Sequence, residues 1–319
     1  MLTGLSVPHV ALMVLAGVIL DLLLGELPRW HPLAGFGRWA DVVERCLNRG
    51  QHRFGRGLLA WMLAVLPLAA LAYWVAGNAR IGFAAHVVLL YFCIGLRSLR
   101  DHNLPISQAL RQEDLARARL LTSRVVSRDT RQAGASDLAK ASTESLLENG
   151  NDAVFGTLFW FAFAGGPGAL LFRLANTLDA MWGYRTPRFL DYGCAAARID
   201  DALNWVPARL TALSYVVLAA TLADKRRAWR CWRRQAPAWA SPNAGPVMAS
   251  GAGALGLALG GAAVYDGVTE QRPVLGTGRP AQGEDIVRAW RLVAAATALW
   301  VAIMALIGAL SFFTGGMHA

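Results

Sequence analysis

Charge is what this sequence has least of. Asp, Glu, Lys and Arg make up 16% of its 319 residues and hydrophobic side chains 55%, whereas soluble domains carry roughly 25% charged residues. That excludes an ordinary water-soluble domain and points to the membrane class. Cysteine is scarce too. Cys46, Cys93, Cys194 and Cys231 lie far apart, with no CxxC pair and no histidine at ligand spacing, so neither a disulfide framework nor a zinc site is expected. No GxxxxGK[ST] phosphate loop occurs, and the glycine-rich stretches Gly165-Gly166-Pro167-Gly168 and 251–261 lack its lysine; a nucleotide would have to be held another way. No basic run precedes the first apolar stretch and no small-residue cleavage site closes it before Asp21, which predicts a retained helix and not a cleaved signal.

What the sequence has in quantity is uninterrupted apolar chain. Residues 1–20, 57–79, 81–96, 153–172 and 292–319 contain no Asp, Glu, Lys or Arg, and about 20 apolar residues cross a bilayer core. Spanning helices are expected at 7–24, 58–75, 81–96 and about 292–312. The loop after the first holds six arginines from Arg29 to Arg56 against Asp41 and Glu44, which places it on the cytoplasmic side, with the hinge Gly77 to Arg80 periplasmic. Two further apolar segments read as re-entrant or broken: 153–172, interrupted at Gly165 to Gly168, and 210–223, only 14 residues long. The expected fold class is an all-α polytopic integral membrane protein, with about four full transmembrane helices, two re-entrant or broken segments and cytoplasmic helical loops. It is read as a single membrane-embedded domain over 1–319. N-terminal transmembrane helices (1–96) lead into a cytoplasmic helical region (97–152) that includes a helix over Gln108 to Arg124. A motif-bearing region (153–234), a cytoplasmic loop region (235–288) of packed loop and short helix, and a C-terminal transmembrane helix (289–319) follow.

A net charge of +10 would suit nucleic acid, but the basic residues sit in loops beside apolar segments. Lys225, Arg226, Arg227, Arg230, Arg233 and Arg234, interleaved with Trp229 and Trp232, look like a cytoplasmic flank with interface anchors. Membrane lipid is the expected partner, and no nucleic acid.

Polar residues concentrate from Arg128 to Arg209, between apolar segments, where ionisable groups are functional-site hypotheses by default. One cluster is Ser127-Arg128-Asp129-Thr130. A second runs from Glu144 through Ser145, Glu148 and Asn149 to Asp152; on a helix Ser145, Asn149 and Asp152 would share a face. A third runs from Asn176 through Asp179, Tyr184 and Arg185 to Arg188, Asp191 and Tyr192. The fourth, Ala197 to Arg209, contains Arg198, Asp200, Asp201 and Asn204. Asp200 and Asn204 stand one helical turn apart, and Arg198 with Asp201 has the spacing of a plain intrahelical ion pair.

Together these resemble the CobD/CbiB family, whose members carry an ESLxEN segment, an NTLDxMxGYR segment, an ARxDDxxNWxPARLTA segment and an SPNAG turn. Here they are Glu144 to Asn149, Asn176 to Arg185, Ala197 to Ala212 and Ser241 to Gly245. The early Asp21 to Glu26, with His31-Pro32-Leu33 and Gly37-Arg38, is similar to the family's N-terminal pattern, so the resemblance covers nearly the whole chain. One departure follows Asn149, where relatives often have Thr-Ser-Asp-Gly and this chain has Gly150-Asn151-Asp152-Ala153: the acid stays and the glycine after it is lost. The resemblance implies a bacterial inner-membrane ligase of cobalamin biosynthesis with its site facing the cytoplasm. The implied reaction joins adenosylcobyric acid, a corrinoid substrate, to aminopropanol or its O-phosphate, with ATP as co-substrate and Mg²⁺ as cofactor. It also implies roles. Asp200, Asp201, Asn204 and Asp179 would be catalytic, the first two as Mg²⁺ ligands. Arg128, Asp129, Glu144, Asn149, Asp152, Asn176, Tyr184, Arg185, Arg198, Arg209 and Asn243 would bind substrate or nucleotide. The amine donor and the need for a soluble partner protein of the pathway stay open.

Blander readings compete at several positions. Arg198 with Asp201 suits a structural pair, Glu148 a solvated helix face, His31 a turn before Pro32, and Trp160 and Trp182 core or interface aromatics. Two other functions are weighed. A non-catalytic membrane regulator of the AmpE type shares the broad architecture but has no use for so many acidic and amide motifs. A transporter would suit the broken segments, yet no internal repeat joins the two halves.

Overall fold

The computed structural model describes residues 4–26, 32–265 and 267–315; His31 and Arg29 lie outside them. In chain order the elements are α1 (Val7–Leu24), α2 (Pro32–Leu47), α3 (Arg53–Ala76), α4 (Gly82–Cys93), α5 (Leu96–Arg111), α6 (Leu115–Thr122) and α7 (Ala135–Gly150). A π-helical turn (Asn151–Phe155) leads into α8 (Gly156–Trp182), α9 (Cys194–Leu218), α10 (Leu222–Gln235) and α11 (Ala244–Leu255). Three strands, β1 (Leu257–Tyr265), β2 (Val268–Leu275) and β3 (Arg279–Pro280), precede α12 (Gly283–Gly315). Among the described residues five helical stretches are long and apolar enough to cross a membrane: Val7–Leu24, Arg53–Ala76, Gly82–Arg111, Ala135–Trp182 and Gly283–Phe313. The chain is a multi-pass helical membrane protein.

The chain divides into two compact units. The first comprises Met1–Gly95, Asp152–Asn204 and Val301–Ala319. Its core joins α2, α3, α8 and the start of α9 through Phe36, Trp61, Val65, Leu178, Trp182 and Ala196. On α1 and α3 the opposite faces expose Leu12, Leu15, Ile19, Leu63, Leu66 and Leu71. Such continuous apolar surface is a liability in water and the normal condition facing lipid tails.

The interruption expected in 153–172 is present, at Ala164 and Gly165, after which α8 resumes and runs to Trp182. Gly165 has φ 61 and ψ −156, a conformation essentially restricted to glycine. The break frees backbone donors, and buried His86 of α4 takes one: Gly166 N–H donates to its Nδ1 at 2.8 Å. A second irregularity is handled similarly. Pro207 inside α9 supplies no N–H to the carbonyl four residues back, and Trp160 Nε1 donates to that Leu203 oxygen at 3.0 Å. Trp160 therefore serves the backbone, while Trp182 is core, packed edge-on against Tyr192 at 5.2 Å.

The second unit comprises Leu96–Asn151 and Trp205–Trp300. Helices α5, α6 and α7 pack around Ala109, Ala118 and Leu138, and Ser142 Oγ donates to Asn103 Oδ1 at 2.8 Å in that interior. A capping box of Thr221 and Asp224 starts α10. β1 pairs antiparallel with β2, with an irregularity at Gly260/Gly261, and parallel with β3.

Several expectations need correction. The helix over Gln108 to Arg124 is two helices, because Glu113 takes a left-handed φ of 58 and Asp114 caps α6 by accepting from Arg117 N–H. The third apolar segment is helical only over Gly82–Cys93; Ile94 is extended, and membrane length is reached by running on through α5. α12 begins at Gly283, ahead of the expected 292. The loop region 235–288 holds α11, as the expected short helix, but also the sheet. Tyr265-Asp266-Gly267-Val268 was the available signal, since Asp-Gly between apolar runs marks a hairpin.

Candidate functional site

The residues singled out from the sequence divide between the units. In the first, the end of α8 and the start of α9 carry the acids. Asp200 is 6% exposed and Asn204, one turn on, 1%; Asn204 Nδ2 donates to the two Asp200 oxygens at 3.4 and 3.2 Å. Asn176 also donates to Asp200, and the neighbouring acids are Asp152 and Asp179. Asp179 in turn feels the charges of Asp152 and Asp201. Burial, and then the Asp152 and Asp179 carboxylates, push Asp200 well above the ordinary carboxylate range. Gly183 explains itself here: a Cβ would come 2.1 Å from Asp179 Oδ1, so the glycine of this motif leaves room for the acid.

One member of this group went unrecognised in the sequence. Arg173 donates to Asn176 Oδ1 at 3.2 Å and to the Asp152 carbonyl at 3.5 Å, and its Nε is buried without a partner. The signal was a lone arginine in a long apolar helix, which is costly unless compensated. Guanidinium, amide and carboxylate thus form a relay: Arg173, Asn176, Asp200, Asn204.

Among the described residues no three His, Cys, Asp or Glu side chains form a group that could hold a metal. Mg²⁺ commonly needs only one or two carboxylates, with water and phosphate oxygens filling the rest. The oxygen-rich donor set of Asp200 and its acidic neighbours suits such a hard cation.

Other predicted residues of this unit stand apart. Tyr184 is 49% exposed, and Arg185 and Arg198 are exposed. Among the described residues the suggested pair of Arg198 with Asp201 does not form, and Arg198 is exposed. Arg188 is structural: it forks onto buried Glu44 at 3.0 and 2.7 Å, and Arg53 donates to the Arg188 carbonyl at 2.7 Å. The Arg188 hydrogen bond holds the Glu44 carboxyl below its usual range.

In the second unit Glu144 is the centre. It is 4% exposed and accepts from Arg128 at 2.6 Å, from Gly260 N–H at 2.7 Å and from Arg272 at 3.2 and 3.3 Å. Arg272, also missed, lies over the Trp239 ring at 5.5 Å. A cavity of about 170 Å³ opens beside this triad, reached by Ser145, Glu148, Asn149 and Tyr265. Asn149 Nδ2 donates to Ser145 Oγ at 3.1 Å, as a shared face requires. Asp152 breaks the pattern, because it falls in the π-helical turn, where i→i+5 bonding abandons the 3.6-residue repeat. Glu148 is half-buried and lines the cavity, unlike a solvated face. Asp129 turns to Arg131, whose fork lowers it to about 2.

Arg209 and Asn243 hold each other at 2.7 Å, and Arg209 also reaches the Pro242 carbonyl at 3.0 Å and lies over Trp205 at 4.4 Å. These contacts tie the α9 motif to the Ser241 to Gly245 turn, so protein groups engage an arginine expected to clamp phosphate. Ala153, where relatives often have glycine, keeps a negative φ, so the backbone here does not require a glycine.

The family model for the CobD/Cbib protein matches residues 14–293. The cobalamin biosynthesis protein CobD of Stutzerimonas stutzeri is 54% identical over 297 residues, covering 92% of this chain and 97% of its own length. That of Chromobacterium violaceum is 48% identical over 317 residues, covering 97% and 99%. The Mycobacterium tuberculosis protein is 39% identical over 277 residues, covering 86% and 88%. No solved structure matches.

Proposed function

The chain belongs to the CobD/Cbib protein family, and on that premise we propose that it is a cobalamin-biosynthesis ligase of the bacterial inner membrane. It forms an amide between the carboxyl of adenosylcobyric acid and the amine of aminopropanol or its O-phosphate, with ATP consumed on the cytoplasmic side. The observation that supports this most is the buried Asp200, braced by Asn204 and Asn176 and flanked by Asp152 and Asp179, because two of the family's motif segments and the acid that follows a third contribute to one acidic centre.

A carboxylate oxygen is a poor leaving group. In the proposed sequence the carboxylate attacks the ATP γ-phosphorus, releasing ADP and giving an acyl phosphate. The amine then attacks the acyl carbon, the C–O bond breaks, phosphate leaves and the nitrogen loses a proton. Mg²⁺, when bound, supplies neutralisation of the phosphoryl charge, and Asp200 with Asp201 or Asp179 would hold it. Arg173, relayed through Asn176, orients the Asp200 carboxylate. Purified protein with adenosylcobyric acid, ATP, Mg²⁺ and each amine, products resolved by mass, tests the proposal. An ATP- and amine-dependent amide product is expected; substrate uptake into vesicles with no product would overturn it in favour of transport.

A further inference from the structure

A cavity of about 660 Å³ opens in the first unit among α2, α3, α4 and α8. It follows the groove between α3 and α4, from Leu63 and Phe92 at one end to Val75 and Ala85 beside the hairpin turn, and Leu170 and Leu174 of α8 floor it. At 1.5 Å of rise per residue, Leu63 to Val75 spans about 18 Å. One leaflet of a bilayer core is about 15 Å deep. The floor lies against buried Ala64 and Ala72, and the mouth is edged by Leu71, Val88 and Trp39, all exposed. Every lining side chain is apolar apart from the Trp39 indole N–H. Water needs two to four polar partners to stay in such a place, and an empty slot would forfeit the dispersion contacts of its lining. The α3 and α4 stretches are among those long and apolar enough to cross a membrane, so the slot opens where lipid tails are.

Shape and charge narrow the occupant. A helix 10–12 Å across fills about 400–600 Å³ per turn, so a slot of about 660 Å³ has no room for a spanning helix of a second copy. Its walls offer nothing to the charged phosphates of a nucleotide. At the Leu63 end α2 closes the slot with Pro32, Leu33, Gly35 and Phe36. Arg38 folds back along α2 to this rim: a Cβ at Gly35 would stand 3.9 Å from its Nη2. Arg38 is exposed, and among the described residues it forms no ion pair. The 29–56 segment carries six arginines against Asp41 and Glu44, and Glu44 is held by Arg188. No carboxylate lines the slot to receive a choline or ammonium group. We infer that this cavity holds one acyl chain of an anionic glycerophospholipid, whose phosphate rests on Arg38. The inference stands on the cavity and its cationic rim, and does not depend on the ligase reading.

Native mass spectrometry of the delipidated full chain in detergent micelles tests this, with phosphatidylglycerol, phosphatidylcholine, diacylglycerol and glycerol 3-phosphate added singly at equal concentrations. Phosphatidylglycerol should saturate at one tightly held molecule per chain. The same lipid with a diazirine in its acyl chain should cross-link to α3 within 63–75 or to α4 within 85–92; cross-links confined to other helices would overturn the inference. Arg38→Gln should weaken phosphatidylglycerol binding about fivefold, the worth of one basic side chain at an anionic membrane surface, and leave diacylglycerol binding unchanged. Leu71→Trp fills the exposed mouth, should weaken both lipids at least tenfold, and keeps the test decisive if Arg38→Gln does not fold. Phosphatidylglycerol affinity within twofold of wild type in either folded variant would overturn the inference, as would phosphatidylcholine or diacylglycerol binding as tightly as phosphatidylglycerol. Glycerol 3-phosphate binding as tightly as the lipid would also overturn it, assigning Arg38 to a free phosphate. Dimers that retain no lipid and disappear in Leu71→Trp would overturn it too, giving the groove to a second copy.

Discussion

Asp200→Asn separates a chemical role from a structural one because the two predict opposite changes in stability. The substitution keeps volume and removes charge at a site 6% exposed, where Asp152 and Asp179 already act against a third negative charge. In the resting protein, losing that charge relieves repulsion. A carboxyl whose folded pKa is raised disfavours the fold progressively as pH climbs from the unfolded value, about 3.9, through the higher folded one. At neutral pH the variant should therefore melt at the wild-type temperature or above it, and its melting should depend less on pH across that interval. In the reaction the sign reverses. Removing one well-placed electrostatic group typically costs about 10²–10³ in rate, and even a tenfold loss corresponds to about 1.4 kcal/mol of barrier. Amide formation should thus fall at least tenfold. Mg²⁺ at about 100 times its dissociation constant should stabilise the wild type by about 2.7 kcal/mol and the variant by much less. Full activity, or lost activity accompanied by a lower melting temperature, would refute the assignment.

Asp201→Asn should likewise reduce amide formation at least about tenfold while the protein still inserts and purifies; wild-type activity would remove Asp201 from the site. Gly165→Ala should destabilise by about 2 kcal/mol or more, from a glycine-only conformation and a Cβ 2.5 Å from the His86 ring; an unchanged melting temperature would contradict the role of the break. Glu44→Gln should lower the melting temperature at neutral pH. The gap to wild type should close on acidification, because a depressed carboxyl stabilises above its unfolded pKa and loses that contribution as pH falls through the folded one; a gap constant with pH would argue against the Arg188 fork. In a cysteine-free background an impermeant thiol reagent added outside intact cells should label a cysteine at position 78 and spare positions 53 and 186; labelling at 53 would overturn the orientation and at 186 the cytoplasmic placement of the acidic loop.

Helices that owe their existence to apolar length were legible from the chain alone. α1 occupies Val7–Leu24 as expected, because nothing but a bilayer or a large core accommodates such a run. The break at Gly165 was legible for a related reason: glycines with a proline cannot continue an apolar helix quietly. The site was half legible. Motif order led to Asp179, Asp200 and Asn204, but spacing along one helix says nothing about which distant chains neutralise them. Arg173 and Arg272 were missed for that reason, and the surroundings of Arg198 and Arg209 were not legible either. One is exposed and the other bound to Asn243. The Glu113 reversal was hidden because its cause is a single cap at Asp114 inside a strongly helix-forming stretch.

The two backbone repairs bear on why the acidic centre sits where it does. In hydrocarbon every unpaired backbone group is expensive, and α8 and α9 each contain an interruption close in sequence to the acids. His86 accepts from Gly166 at the α8 break, upstream of Arg173, Asn176 and Asp179. Trp160 donates to Leu203 where Pro207 leaves a carbonyl bare, one residue before Asn204. Neither donor nor acceptor belongs to the acidic group, yet each fixes the helical segment that carries half of it. An uninterrupted pair of helices would satisfy its own backbone and leave these side chains idle. The interruptions exchange internal hydrogen bonds for cross-helix ones, and the Trp160 bond ties α8 to α9, the two helices whose Asn176 and Asp200 meet.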